Sequence, residues 1–141
     1  MTAQNFHASC VAIGEFGLLI RGPSGSGKSD LVLRLLDEAN FAILVADDQV
    51  RISAVKGELI ASPPPILAGK LEIRGQGIVT RPYLAAIKLS HIIDLAPATE
   101  IARMPEPGEL QTVFMEHQFP RLKLDGKQAS ATAHIRAFLQ R

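Results

Sequence analysis

Apolar residues follow different rhythms in different parts of the chain. ASCVAI and LLIR are short apolar runs flanking GEFG, and together they predict two strands joined by a tight, glycine-containing turn. From Ser29 the period lengthens: Leu31, Val32, Leu35, Leu36 and Ala39 share a stripe, with Asp30, Arg34, Asp37 and Glu38 largely off it. That spacing predicts a one-sided helix of about three turns, closed by Asn40. FAILVA is then a continuous apolar run of the kind a buried strand shows, and it stops at Asp47 and Asp48. VRISA and ELIAS alternate around Lys56 and Gly57, the pattern of a β-hairpin. Pro63, Pro64 and Pro65 forbid regular structure after it.

The stretch LEIRGQGIV places Glu72 and Arg74 two positions apart in an apolar run, then breaks that run with Gly75 and Gly77. On an extended strand those two side chains share a face, which permits an ion pair or a joint projection into a site, while the glycines let the backbone turn close to a ligand. IKLSHIIDLA predicts a further strand and MPEPGELQ a loop. Residues Ser130 to Arg141 predict a helix with Ala133, Ala137 and either Ile135 or Phe138 facing inward. The chain shows no repeats, low-complexity tracts or linker.

Composition narrows the picture mainly by exclusion. At 141 residues the chain suits one domain, residues 1–141. An apolar fraction of 47%, a charged fraction of 21% and a net charge of +1 indicate neither disorder nor a charge-driven partner. Lys and Arg are scattered and there is one Tyr, so nothing supports a nucleic-acid platform. The single cysteine, Cys10, lies in an apolar run and reads as a buried, inert thiol. With no signal-like start and no segment long enough to span a bilayer, the expectation is a cytoplasmic protein without membrane contact.

The chemistry concentrates in three places. Gly22, Pro23, Ser24, Gly25, Ser26, Gly27, Lys28 and Ser29 match G-x-x-x-x-G-K-[ST] in full, between a predicted strand and a predicted helix. Successive backbone N–H groups and the helix N-terminus then converge on an anion site, Lys28 reaches terminal phosphates and the Ser29 hydroxyl can ligate Mg²⁺. The competing reading is a glycine-rich turn that only caps a helix. Second, a right-handed crossover between parallel strands puts Asp47 and Asp48 at the same sheet edge as that loop. Neighbouring side chains on a strand face opposite ways, so one aspartate suffices for a metal and the other is free to act as general base. A solvated turn at a strand end is the bland alternative. Third, beside a nucleotide site, Glu72 becomes a candidate Mg²⁺ ligand and Arg74 a candidate for offsetting phosphoryl charge.

The order H-A-S-x-V, GPSGSGKS, LVADD and LEIRGQGI resembles the catalytic domain of bacterial HPr kinase/phosphorylase, and E-I-R-G-x-G-I is its most specific element. The resemblance runs from His7 to about Thr80. It implies an α/β fold: a P-loop nucleotide-binding domain of the HPr kinase and phosphoenolpyruvate carboxykinase-like type, here a short form comprising only the C-terminal catalytic domain. It implies ATP and Mg²⁺ as cofactors and the phosphocarrier protein HPr as substrate. Lys28 and Ser29 fall on the phosphate-binding lysine and a metal ligand, Glu72 on a second metal ligand, His7 on an active-site histidine and Asp48 on the acid/base position. Arg103 aligns with a family arginine further along. The long members are hexamers, so a homo-oligomer is admitted. The family's P-G-R-N loop has no counterpart; FPRLKLDGKQ stands there with Arg121, Lys123 and Lys127 as its cations, so reverse phosphorolysis of phosphoserine-HPr is expected to be weak. The reading is an ATP- and Mg²⁺-dependent protein serine kinase, against a small-molecule kinase on a similar scaffold or a nucleotide-binding regulatory module without transfer activity.

Overall fold

The computed structural model describes residues 3–38 and 42–141. In chain order these form β1 (Ala3–Phe6), β2 (Ser9–Ile13), β3 (Phe16–Arg21), α1 (Lys28–Glu38), β4 (Ala42–Ala46), β5 (Val50–Val55), β6 (Glu58–Ser62), β7 (Lys70–Ile73), β8 (Gly77–Thr80), β9 (Ile87–Leu95), β10 (Gln111–Phe114), β11 (His117–Leu124) and α2 (Ala131–Leu139). The expected places of Ala39 and Asn40 at the end of α1, and of the first residue of FAILVA, lie outside the described residues.

One mixed sheet runs β1-β5-β6-β9-β3-β2-β4, and β11 joins it at β9 with β10 paired to β11. The β7–β8 hairpin stands apart as a two-stranded sheet. Strand β9 is the hub. It lies parallel to β3 along one edge, and along the other it meets β6 at Ile87–Lys88 and β11 at Ile92–Leu95. The apolar runs of β2 and β3 are continuous because both faces are covered. Val11, Ile13, Leu18 and Ile20 pack with Leu31, Leu35 and Ile135 under the helices, whereas Cys10, Ala12 and Leu19 pack with Ile52, Leu59 and Phe119 on the opposite face. Cys10 is fully buried and burial pushes its thiol far above the ordinary range, so it is inert as expected.

The strand order adds one strand to the expected crossover between parallel strands. Strand β2, hairpinned to β3, occupies the slot beside it, and β4 pairs with β2, antiparallel strands in both cases. Strands β3 and β4 still run in the same direction, so their carboxyl ends share one edge of the sheet. The phosphate loop and the aspartates therefore meet as the motif spacing implies, across an intervening strand.

Two other elements differ from the sequence pattern. In α2 the buried residues are Ala131, Thr132, Ile135 and Phe138, while Ala133 and Ala137 are exposed. A large side chain contributes about 2 kcal/mol on burial and an alanine far less, so Ile135 and Phe138 set the inward face together. MPEPGELQ is not all loop: Pro107–Leu110 form a 3₁₀ turn closed by a Glu106–Glu109 capping box, and β10 begins at Gln111. No helix of the described residues is long and apolar enough to cross a membrane.

Candidate active site

Strand β3 ends at Arg21, and seven residues later, at Lys28, the chain is helical. The turn is closed by the Ser26 N–H donating to the Pro23 carbonyl at 3.1 Å. Gly27 has φ +94°, a conformation L side chains rarely adopt, and a Cβ on Gly22 would stand 2.6 Å from Ser26 Oγ. The first α-helical bond to the loop runs from Leu31 N–H to Gly27 O at 2.9 Å, so the N–H groups of the helix residues before Leu31 are free of that ladder and available to an anion. Lys28 is buried, and its Nζ donates to the carbonyls of Gly22 at 2.6 Å and Pro23 at 3.2 Å. Those bonds bend the lysine back over the loop and leave one ammonium N–H for a phosphate oxygen.

The neighbouring aspartates are in different environments. Asp47 is 8% exposed and accepts hydrogen bonds from Ser29 Oγ, 3.0 Å from each carboxylate oxygen, from Ser9 Oγ at 3.0 Å and from the Glu72 N–H at 3.2 Å. Asp48 turns the other way. Its φ is +68°, a left-handed conformation that Asp tolerates better than most residues, and its N–H donates to Ser9 Oγ at 3.1 Å. Its carboxylate lies 2.7 Å from His7 Nε2, with the His7 and Asp48 side chains 52% and 60% exposed. Ser9 is fully buried and thus holds both aspartates: its hydroxyl donates to one and accepts from the other's backbone.

Glu72 lies on β7, but Arg74 falls just past the strand end, in the turn to β8. Among the described residues the two form no ion pair, so of the two expected arrangements that one is not realised; the turn at Gly75, with φ +86°, begins where the strand face would have continued. Both nonetheless line the same cleft of about 710 Å³ as His7, Lys28, Ser29, Asp47 and Asp48. Ser24, Gly25 and Gly27 line it too, while Gly22, Pro23 and Ser26 shape the loop behind. Arg103 is exposed in the segment between β9 and β10 and does not line this cleft.

The donors suit magnesium: the Ser29 hydroxyl and the Asp47 and Glu72 carboxylates are hard oxygen ligands beside a phosphate loop. Among the described residues no cluster of three or more His, Cys, Asp or Glu is placed to hold a metal. A magnesium ion here would therefore draw part of its shell from phosphate oxygens and water, the usual arrangement for that ion.

Two contributors escape the motif reading. Ser9 sits in the H-A-S run, where the buried hydroxyl was the available signal. Of the three cations in FPRLKLDGKQ, only Lys127 lines the cleft. Arg121 instead pairs with Asp94 at 2.9 Å, and Lys123 donates to the Glu100 carbonyl at 3.3 Å.

Comparison with known proteins finds relatives in sequence and in fold. The family model for the HPr Serine kinase C-terminal domain matches residues 1–101. The HPr kinase/phosphorylase of Clostridium tetani is 42% identical over 89 residues, 63% of this chain and 28% of that protein. That of Clostridium acetobutylicum is 42% identical over 78 residues, 55% of this chain and 25% of that protein. The matches thus span roughly a quarter of each relative's length. A solved structure of the Hpr(Ser) kinase/phosphatase from Coxiella burnetii superposes with a TM-score of 0.84 at 22% identity, covering 97% of this chain and 88% of that one, which establishes a shared fold.

Proposed function

The chain belongs to the HPr Serine kinase C-terminal domain family, and from that membership we propose that it transfers the γ-phosphoryl group of ATP, with magnesium, to a serine of the phosphocarrier protein HPr. The observation that carries this reading is the division of labour between Asp47, buried against Ser29, and Asp48, exposed at the open side of the same cleft. The backbone N–H groups of Ser24, Gly25, Gly27, Lys28 and Ser29 and the Lys28 ammonium hold the phosphates. Ser29 and Glu72 would hold magnesium, and Asp47 fixes the Ser29 hydroxyl that does so. When bound, the metal offsets phosphate charge and orients the triphosphate.

Chemistry then needs a proton acceptor beside the incoming hydroxyl. As the serine oxygen bonds to the γ-phosphorus and the bond to the ADP oxygen breaks, Asp48 takes the hydroxyl proton. His7, 2.7 Å from that carboxylate, sets its orientation, and Arg74 across the cleft offsets charge on the phosphoryl oxygens. Exposure of His7 and Asp48 favours a protein loop as acceptor over a small molecule, which would call for an enclosing pocket.

The test is incubation with ATP, Mg²⁺ and purified HPr, followed by intact-mass measurement. One added phosphoryl group on a serine is expected. ATP binding with HPr left unmodified would overturn HPr as the acceptor and leave a small-molecule kinase or a regulatory module.

A further inference from the structure

We propose that Lys127 is a second lysine of the phosphate site, its ammonium binding the terminal phosphate oxygens of the polyphosphate donor, and that Arg34 is the positioning residue that holds it there. The inference deepens the function proposed above and rests on its phosphate loop. Lys127 lies beyond the residues matched by the family model, in the short segment between β11 and α2.

That segment is fastened onto the phosphate loop. Its Asp125 carboxylate accepts the Lys127 N–H at 3.0 Å, and the Gln128 N–H donates to the Asp125 carbonyl at 3.2 Å. The Arg34 guanidinium, projecting from α1, donates to the carbonyls on either side of Lys127: to Gln128 at 3.1 Å and to Gly126. Arg34 is itself braced by Asp30, one turn earlier, at 3.1 Å. Gly126 packs close to both Leu95 and the phosphate loop: a Cβ there would stand 3.1 Å from the Leu95 side chain, a tight contact, and 3.4 Å from the Ser26 carbonyl. The Lys127 stem then crosses Gly27, its Cγ 3.4 Å from where a Cβ on that glycine would be.

Electrostatics gives this placement a purpose. The cleft is lined by four carboxylates, those of Asp30, Asp47, Asp48 and Glu72, and by Lys28, Arg74 and Lys127 as its lysine and arginine cations. A polyphosphate entering such a site needs cations to offset repulsion from those carboxylates, and Lys28 already shares its ammonium with two carbonyls.

The experiment is calorimetric titration of the full chain with ATP and, separately, with inorganic pyrophosphate, both with Mg²⁺ at fixed ionic strength. Lys127→Met, which keeps length and removes charge, is expected to weaken both ligands by the same factor, about tenfold, with Lys127→Arg retaining most of the affinity. Arg34→Met is expected to weaken both in the parent chain yet add nothing in the Lys127→Met background, an outcome a merely structural role for Arg34 would not give. Unchanged ATP affinity in Lys127→Met, or loss for ATP without loss for pyrophosphate, overturns the assignment. Lys28→Met separates this from the underlying reading. If it abolishes binding while Lys127→Met leaves affinity unchanged, only the Lys127 inference fails; if neither matters, the phosphate site is misassigned.

Discussion

The region from His7 to Thr80 and the region from Ile87 to Arg141 contribute to this molecule in opposite ways. The first carries its chemistry in contiguous stretches: a phosphate loop, an aspartate pair and the β7–β8 hairpin, each complete within a few residues. The second carries no such stretch, yet supplies the hub strand β9, the strand β11 that links β9 to β10, and the helix α2. Beyond the pairing of β9 with β3 and β6, it is tied to the first by single side chains. Asp94 on β9 accepts a two-pronged pair from Arg21 at 2.7 and 2.8 Å and a third bond from Arg121 at 2.9 Å. Arg34 reaches across to the Lys127 segment, and His117 spans to the β5–β6 turn. Reactive groups are thus local in sequence, whereas what fixes their surroundings is not.

If that contrast is right, the largest effect of a conservative change belongs to the first region. Asp48→Asn keeps size and suits the left-handed backbone at φ +68°, so the fold and ATP affinity should survive while turnover falls by roughly 10²-fold or more. Single-turnover rates on HPr alongside ATP titration check this. Asp47→Asn touches Ser29 and is expected to impair nucleotide–metal binding as well as rate. Should Asp47→Asn instead leave binding intact and cost more in turnover than Asp48→Asn, the two aspartates exchange roles.

The same contrast governs what sequence alone can disclose. The hairpin at Lys56–Gly57 is legible because its turn has φ +51° and +79°, and a glycine announces one of those positions. The β10–β11 hairpin has the same positive pair, φ +48° and +69°, on Met115 and Glu116, neither of which signals a turn. Pro120 further hides β11, since proline argues against a strand. It is tolerated because the strand changes partner there, pairing with β10 through Pro120 and with β9 from Arg121. The phosphate loop is legible because its spacing matches a motif, and the aspartates and Glu72 are legible beside it as candidates that the structure brings to the same cleft. Ser9, Asp94 and Arg34 are not, because each acts through partners 27 to 94 residues away.

Breaking the Asp94 tie should cost stability more than chemistry. Burial by itself pushes the Asp94 carboxyl up, but the hydrogen bonds and charge of Arg21, then those of Arg121, outweigh it and hold the group below its ordinary value of 3.8. A depressed carboxylate contributes stability that is complete above the unfolded value and is lost as pH falls through the folded one. Asp94→Asn is therefore expected to destabilise by about 2 kcal/mol near neutral pH, between the values for exposed and buried pairs. The gap to the parent should close as pH falls from about 5 to about 3, by urea denaturation. A gap that stays constant over that interval would show that packing, not the ion pair, holds β9 to β11.

The smallest expected effect is at the other tie. His117 Nδ1 lies 2.8 Å from the Met115 carbonyl and Nε2 2.9 Å from the Gly57 carbonyl. Two acceptors require both ring nitrogens to donate, which only the imidazolium can do. Accordingly the bond to Met115, then that to Gly57, raises the His117 pKa above 6.5, with burial opposing weakly and the Glu116 charge assisting. A raised histidine contributes stability that is present in full below the unfolded value and disappears as pH rises through the folded one. Urea midpoints of the parent and of His117→Gln should then differ most near about pH 6 and converge near about pH 8.5, the opposite direction from Asp94. Equal differences at both values would mean that one hydrogen bond from a neutral ring is enough to tie β11 to the β5–β6 turn, and that the charge has no part in joining the two regions.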